Sequence, residues 1–258
     1  ICTLDEYYPT RTELSILREH AAAMADVVGP SARVVELGSG SDLKIRVLLE
    51  ALEAPAAYVP IDISSSALYA SATRLSRDFP GLEVAPLHAD YTAAITLPRP
   101  ERSFHKTVAF FPGSTLGNFE PRQAEAFLRR LRGLVGRGGL LLLGTDLKKD
   151  PRLLHAAYND ARGITAAFNL NILTHLNREH GGTFDVGAFH HYAYYDAPAS
   201  RIVMTLVSKA RQSFQVAGHA FSVEEGEPLV TEYSYKFSVD DVRSLAQRTG
   251  FTLRVAWT

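Results

Sequence analysis

Glu36-Leu37-Gly38-Ser39-Gly40 closes a short apolar run and is followed at once by helix-patterned residues, 42–52. An acidic side chain at the end of a strand accepts hydrogen bonds from a cationic or hydroxylated ligand. Two glycines one residue apart let the backbone approach that ligand with no Cβ in the way. This is the chemistry of a nucleotide-type cofactor site. It departs from the dinucleotide fingerprint, because Leu43 stands where a third glycine belongs. A plain tight turn gives the same pattern.

Further polar residues follow strand-like runs. Asp62 ends Val59-Pro60-Ile61-Asp62. It can accept both hydroxyls of a ribose, or cap the helix that starts near Ser64. Asp90 ends the next run and can accept from an adenine amino group, with Tyr91 over the ring; an ordinary loop gives the same pattern. Gly113-Ser114-Thr115-Leu116-Gly117-Asn118 is a loop able to cradle a ligand, or a turn before the helix opened by Pro121. Asn118 brings donors and an acceptor suited to a carboxylate or an amine. Glu232 and Ser234 alternate along a β-patterned run, so they share one face. A carboxylate beside a hydroxyl can hold an imidazole, or be ordinary surface. The histidines build no metal site from spacing. His175 and His180 are five apart, and His190 and His191 point to opposite faces of a strand.

The elements that must position these residues are legible as alternating patterns. A helix is expected over 12–28, then strands and helices in turn: 33–37, 42–52, 58–63, 65–77, 82–87, 106–111, 121–135 and 139–144. The last of these, almost wholly apolar, reads as a central strand buried on both faces. Such alternation implies a parallel sheet with helices on both sides. Residues 151–180 read as helical. Strands follow at 192–195, 201–207, 213–216 and 229–237 as an antiparallel meander, then a helix at 239–249 and a last strand at 251–257. The domains expected are 20–164 with 239–258, which binds the cofactor, and 1–19 with 165–238, a smaller α+β substrate lobe inserted before the last strands.

The composition, 46% hydrophobic and 21% charged over 258 residues, is that of an ordinary globular chain. A net charge of −1 gives no field to draw nucleic acid or an anionic membrane. One cysteine, Cys2, allows no internal disulfide and suits a cytoplasmic setting. No run is long and apolar enough to span a bilayer. A chain that opens on Ile1 is expected to begin partway into a longer protein or fusion, and the lack of one further strand suggests an early end too.

With these residues in view, the chain resembles the histidine-specific, S-adenosylmethionine (SAM)-dependent methyltransferases of ergothioneine biosynthesis. The likeness rests on Glu6-Tyr7-Tyr8-Pro9-Thr10-Arg11-Thr12-Glu13, the 36–40 and 113–118 motifs, and Leu143-Gly144-Thr145-Asp146-Leu147-Lys148-Lys149-Asp150. It continues through Ala157-Tyr158-Asn159-Asp160, Gly163-Ile164-Thr165-Ala166-Ala167-Phe168-Asn169, Thr231-Glu232, Ser234 and Lys236-Phe237. It implies an α/β fold with the Rossmann-like sheet of class I SAM methyltransferases. SAM would be held by Glu36, Gly38, Gly40, Lys44, Asp62, Asp90 and Tyr91. Asn118 and Tyr158 would take the α-carboxylate of L-histidine, and Tyr7, Glu232 and Ser234 its imidazole. Tyr7, Asn118 and Tyr158 would carry the catalytic roles, Met204 would limit the pocket, and Tyr8 and Thr10 would line it. The expected product is the trimethyl betaine hercynine. The alternatives are the same chemistry on tryptophan or a related amine, a relative that binds without turnover, and, from the glycine turn alone, an NAD-dependent oxidoreductase.

Overall fold

The computed structural model describes residues 8–258. In chain order its elements are α1 (Tyr8–Val28), β1 (Ala32–Leu37), α2 (Leu43–Ala51), β2 (Ala57–Asp62), α3 (Ser65–Asp78), β3 (Glu83–Val84), β4 (Leu87–His88), β5 (Lys106–Phe111), α4 (Pro121–Val135) and β6 (Leu140–Leu143). Then come α5 (Pro151–Tyr158), α6 (Ile164–Glu179), β7 (Phe189–Asp196), β8 (Arg201–Ser208), β9 (Gln212–Val216), β10 (His219–Val223), β11 (Pro228–Tyr235) and α7 (Val239–Arg248).

The chain divides into two compact units. The larger holds residues 9–116, 121–145 and 239–258. Its sheet is parallel, in the order β3-β2-β1-β5-β6, with β4 also beside β2. β1 sits at the centre, and Val34 and Val35, which point to opposite faces, are both fully buried. That is the doubly covered state a parallel sheet needs. α4 shows how a helix reaches it. Ala124, Phe127, Leu128, Leu131 and Val135 are its buried residues, one stripe at helical spacing.

The smaller unit holds residues 117–120 and 146–238 among those described, together with Tyr8. Its three-stranded antiparallel sheet runs β11-β8-β7, and β9 and β10 form a separate ribbon. α6 and the ribbon share a core in which Leu173, Phe184, Phe189, Leu206 and Phe214 are buried together. α5 packs Leu154 onto Ala193, Ile202 and Met204. That packing places 146–164 in the smaller unit, where the sequence reading puts the boundary at 165; residues 9–19 group with the parallel sheet.

Several elements differ from expectation. β6 is an edge strand of intermediate burial, not a central one. Its apolar run met only the β5 side of the sheet. Residues 251–258 form no strand. Trp257 packs against the core, 6.4 Å from the His20 ring, without a ladder, while Val255 stays exposed. The run at 82–87 is two short strands, split at Ala85 and Pro86. The expected meander lacks β10, whose exposed residues give little alternation; β11 pairs with β8 across that ribbon.

Candidate functional site

In the larger unit, the β1–α2 turn carries the glycine motif. Gly38 has φ +80°, a left-handed conformation that favours glycine. Its N–H and that of Ser39 donate to the Ile61 carbonyl, at 2.8 and 3.2 Å, which ties the turn to the end of β2. Gly38 and Gly40 are exposed, while the Ser39 hydroxyl is buried with no hydrogen-bond partner. Asp62 is half-buried. One oxygen accepts the Ser64 N–H at 2.8 Å, so the capping alternative holds, and the other faces Gly40. Tyr91 leans over Gly38 and packs edge-on against Phe111 and Phe127, at 5.8 and 6.1 Å between ring centres. Burial, then Asp62 and Asp90, push its phenol pKa up. Asp90 is exposed and accepts from the Thr92 N–H and hydroxyl, at 2.7 and 2.6 Å.

Two charged residues of the motif are committed to the protein itself. Lys44 pairs with Glu13 at 2.5 Å, and the same carboxylate accepts the Gly113 N–H at 2.8 Å. A Cβ on Gly144 would overlap Glu13, so glycine there makes room for this junction. Glu36 is only 2% exposed and accepts the Tyr58 hydroxyl. It sits deeper than the sequence reading implies, with one oxygen already used. Burial raises its pKa to about 8. The unfolded chain then releases this proton at lower pH than the folded one, so folding stability falls as pH rises from about 4.5 to 8, by up to about 1.4 kcal/mol per unit. Glu36→Gln is expected to remove that slope. Melting temperatures of both proteins across this range check it, and parallel curves would refute the burial argument.

A cavity of about 1070 Å³ also lies in this unit, with Arg33, Arg99, Arg102 and Arg130 in its walls. Of the predicted cofactor residues only Tyr91 lines it.

In the smaller unit, Glu232 and Ser234 lie on β11, opposite Met204 and Ile202 of β8. Directly paired residues share a face, so Glu232, Ser234, Met204 and Ile202 all point one way. α5 closes over that face and delivers Tyr158, whose hydroxyl is 2.9 Å from that of Ser234. Met204 is 3% exposed and belongs to the floor beneath Tyr158. Three bonds fix the tyrosine's backbone. Asn159 both donates to and accepts from the main chain of Ala193, at 2.9 and 3.0 Å, and the His191 ring bonds the Tyr158 carbonyl at 2.7 Å. Asp160 then accepts the N–H groups of Ile164 and Thr165, both at 2.8 Å, and starts α6.

Asn118 ends the 3-10 turn Thr115–Asn118 and is exposed. Gly117, buried beside it, lies against the main chain of Tyr235. Thus Asn118, Tyr158, Met204, Glu232 and Ser234 belong to one unit, as the sequence groups them by role. Tyr7 lies outside the described residues. Tyr8 donates to Asp146 at 2.6 Å, and Thr10 is buried.

Sequence reading gave no role to Lys236 or Asp146. Lys236 donates to Tyr158 and Ser234 at 2.8 and 2.9 Å and pairs with Asp146 at 2.9 Å. Lys149 adds a 2.6 Å pair to Asp146. A signal did exist: position 236 continues the 232, 234 alternation with a cation where an apolar residue is usual. Burial raises the Glu232 pKa, and the Lys236 charge opposes it. Among the described residues no cluster of histidine, cysteine, aspartate or glutamate fits a metal ion. Nor is any described helix long and apolar enough to cross a membrane.

The whole chain, residues 1–258, matches the family of histidine-specific, SAM-dependent methyltransferases. The chain belongs to this family. The histidine N-alpha-methyltransferase of Mycobacterium tuberculosis is 39% identical over all of this chain and 80% of its own length. Ergothioneine biosynthesis protein 1 of Neurospora crassa is 29% identical over 91% of this chain and 30% of its own. The 4-dimethylallyltryptophan N-methyltransferase of Epichloe festucae var. lolii is 33% identical over 67% of this chain and 53% of its own. The methyltransferase thus uses SAM, and the fold is the Rossmann-like parallel sheet of that class.

Gly117 is the tighter of the two glycines in the 113–118 loop. A Cβ there would lie 2.7 Å from the Tyr235 carbonyl oxygen. Gly117→Ala is expected to cost about 1–3 kcal/mol of stability and to weaken histidine binding by displacing Asn118. SAM affinity should hold. Calorimetric titration with each ligand checks this, and an unchanged histidine affinity would contradict the role given to the loop.

Proposed function

We propose that this methyltransferase transfers methyl groups from SAM to the α-amino nitrogen of L-histidine, up to the trimethyl betaine hercynine, as a step of ergothioneine biosynthesis in the cytoplasm. The observation that carries the reading is the shared face of β11 and α5. It sets an acceptor, Glu232, beside a hydroxyl pair, Ser234 and Tyr158, which suits a ring with both donor and acceptor nitrogens. An indole offers one donor and no acceptor, so it would leave part of that wall unmatched.

The larger unit fits the cofactor. The left-handed Gly38 keeps the turn open under Tyr91, and the buried Ser39 hydroxyl has no partner of its own. Gly38, Gly40, Lys44, Asp62, Asp90 and Tyr91 would hold it, with Glu36 bracing the turn from inside. When bound, SAM supplies a methyl group on a sulfonium, already a good leaving group. The protein's part is then alignment. Asn118 grips the α-carboxylate and aims the amine, which must arrive as the free base; the Tyr158 hydroxyl, which the sequence resemblance gave to the carboxylate, is engaged by Ser234 and Lys236 instead. Tyr7, Glu232 and Ser234 hold the ring, and Met204 supports the floor. As the nitrogen gains methyl groups it becomes cationic, and tyrosine faces suit it better than carboxylates would.

The test is direct. The purified protein is incubated with SAM and either histidine or tryptophan, and products are followed by mass. Mono-, di- and trimethylhistidine are expected in succession. Turnover of tryptophan without histidine would overturn the reading, and binding of SAM and histidine with no product would make this a non-catalytic relative.

A further inference from the structure

The hydrogen count around Lys236 has a chemical consequence. An ammonium group has three N–H donors and no acceptor. Lys236 spends its donors on the Tyr158 hydroxyl, the Ser234 hydroxyl and Asp146, at 2.8, 2.9 and 2.9 Å, with a side chain 1% exposed. Neither hydroxyl can send its own hydrogen back to the lysine. One hydrogen is shared between the two oxygens, 2.9 Å apart. The other has no partner inside the cluster, so one O–H must point out of it. Asp146 keeps the ammonium in this arrangement: its Oδ1 accepts from Lys149 and its Oδ2 from Tyr8, at 2.6 Å each, and Oδ2 also takes the lysine's third donor.

We infer that Lys236 is a specificity-determining positioning residue: it turns the Tyr158–Ser234 pair into a single outward donor beside the acceptor Glu232, so the site selects a ring with one bare nitrogen and one N–H. Neutral imidazole has that pattern. Imidazolium has two donors and would set an N–H against the outward O–H. Burial raises the Glu232 pKa, and the Lys236 charge offsets part of that rise. The inference rests on the histidine reading above and deepens it.

The test uses alanines carrying other five-membered rings. The thiazol-4-yl and thiazol-5-yl analogues hold a bare nitrogen at one or the other ring position and no N–H. The pyrrol-2-yl and pyrrol-3-yl analogues hold an N–H and no bare nitrogen. In the wild-type protein the thiazolyl nitrogen can meet the outward O–H and the pyrrolyl N–H can meet Glu232, so the two sets probe the two halves of the wall separately, and only thiazolyl binding depends on Lys236. In Lys236→Met, and in Lys236→Gln, whose amide can accept, a hydroxyl can turn inward. The tighter thiazolyl compound should then bind about tenfold more weakly, the pyrrolyl compounds about as before, and the KM for histidine rise about tenfold, with SAM affinity kept. In a Tyr158→Phe, Ser234→Ala background, Lys236→Met should weaken thiazolyl binding no further.

Thiazolyl binding that is as tight in Lys236→Met as in the wild-type protein, or that falls no more than pyrrolyl binding does, overturns the inference. So does a Lys236→Met protein that methylates histidine poorly yet keeps the wild-type ratio of thiazolyl to pyrrolyl binding, since the lysine would then be merely structural. Failure of the wild-type protein to methylate histidine at all would instead remove the reading beneath it.

Discussion

Asp146→Ala is expected to lower folding stability by about 3–5 kcal/mol, the cost of leaving one partner of a buried ion pair alone. Asp146 is 8% exposed and Lys236 3%. Burial by itself would raise the Asp146 pKa, but the Lys236 charge and bonds from Lys149, Tyr8 and Lys236 outweigh it and hold the carboxyl below its ordinary value. Its contribution is therefore present above the ordinary carboxylate range and lost as pH falls through the lowered pKa. The variant should show a shallower acid limb in a plot of stability against pH. Adding Lys236→Met to Asp146→Ala should recover part of the loss, because it removes the stranded cation. Urea unfolding of the three proteins measures this. A single variant within about 1 kcal/mol of wild type, the range of exposed pairs, would mean that water already reaches the cluster.

Glu232→Ala should raise the KM for histidine by about tenfold to a hundredfold, as expected when a buried ligand N–H loses its acceptor. The maximal rate should change less, since the residue holds the ring and not the reacting amine. Choice of side chain should relax, so tryptophan gains relative to histidine. Steady-state kinetics with both amino acids decide the matter. Unaltered selectivity would contradict the placement of the ring against β11, while a fall in rate at constant KM would mean that Glu232 acts on the amine.

Where burial was set by local pattern, the sequence was easy to read. The bounds of β5 and α4 follow from an apolar run and from a helical stripe opened by proline. The alternation of Glu232 and Ser234 likewise needs nothing beyond the period of a strand. Misreadings arose where neighbours decided the outcome. Four leucines in β6 look alike at a sheet's centre and at its edge, and Trp257 finds burial without a ladder. Position 62 shows a different limit: capping and ligand binding are compatible because a carboxylate has two oxygens. The Lys236–Asp146 pair spans 90 residues of chain, so no spacing rule joins them, although each stands in a motif already noted.

Asn159 imitates a strand: its amide exchanges both main-chain bonds with Ala193. The final turn of α5 is thereby stitched to the sheet margin, and the two should fray together. Amide hydrogen exchange would then record Ala193 and the end of α5 opening with one common protection. A phenol mounted on such a seam arrives pre-aimed, and little conformational freedom is left to lose when an amino acid docks.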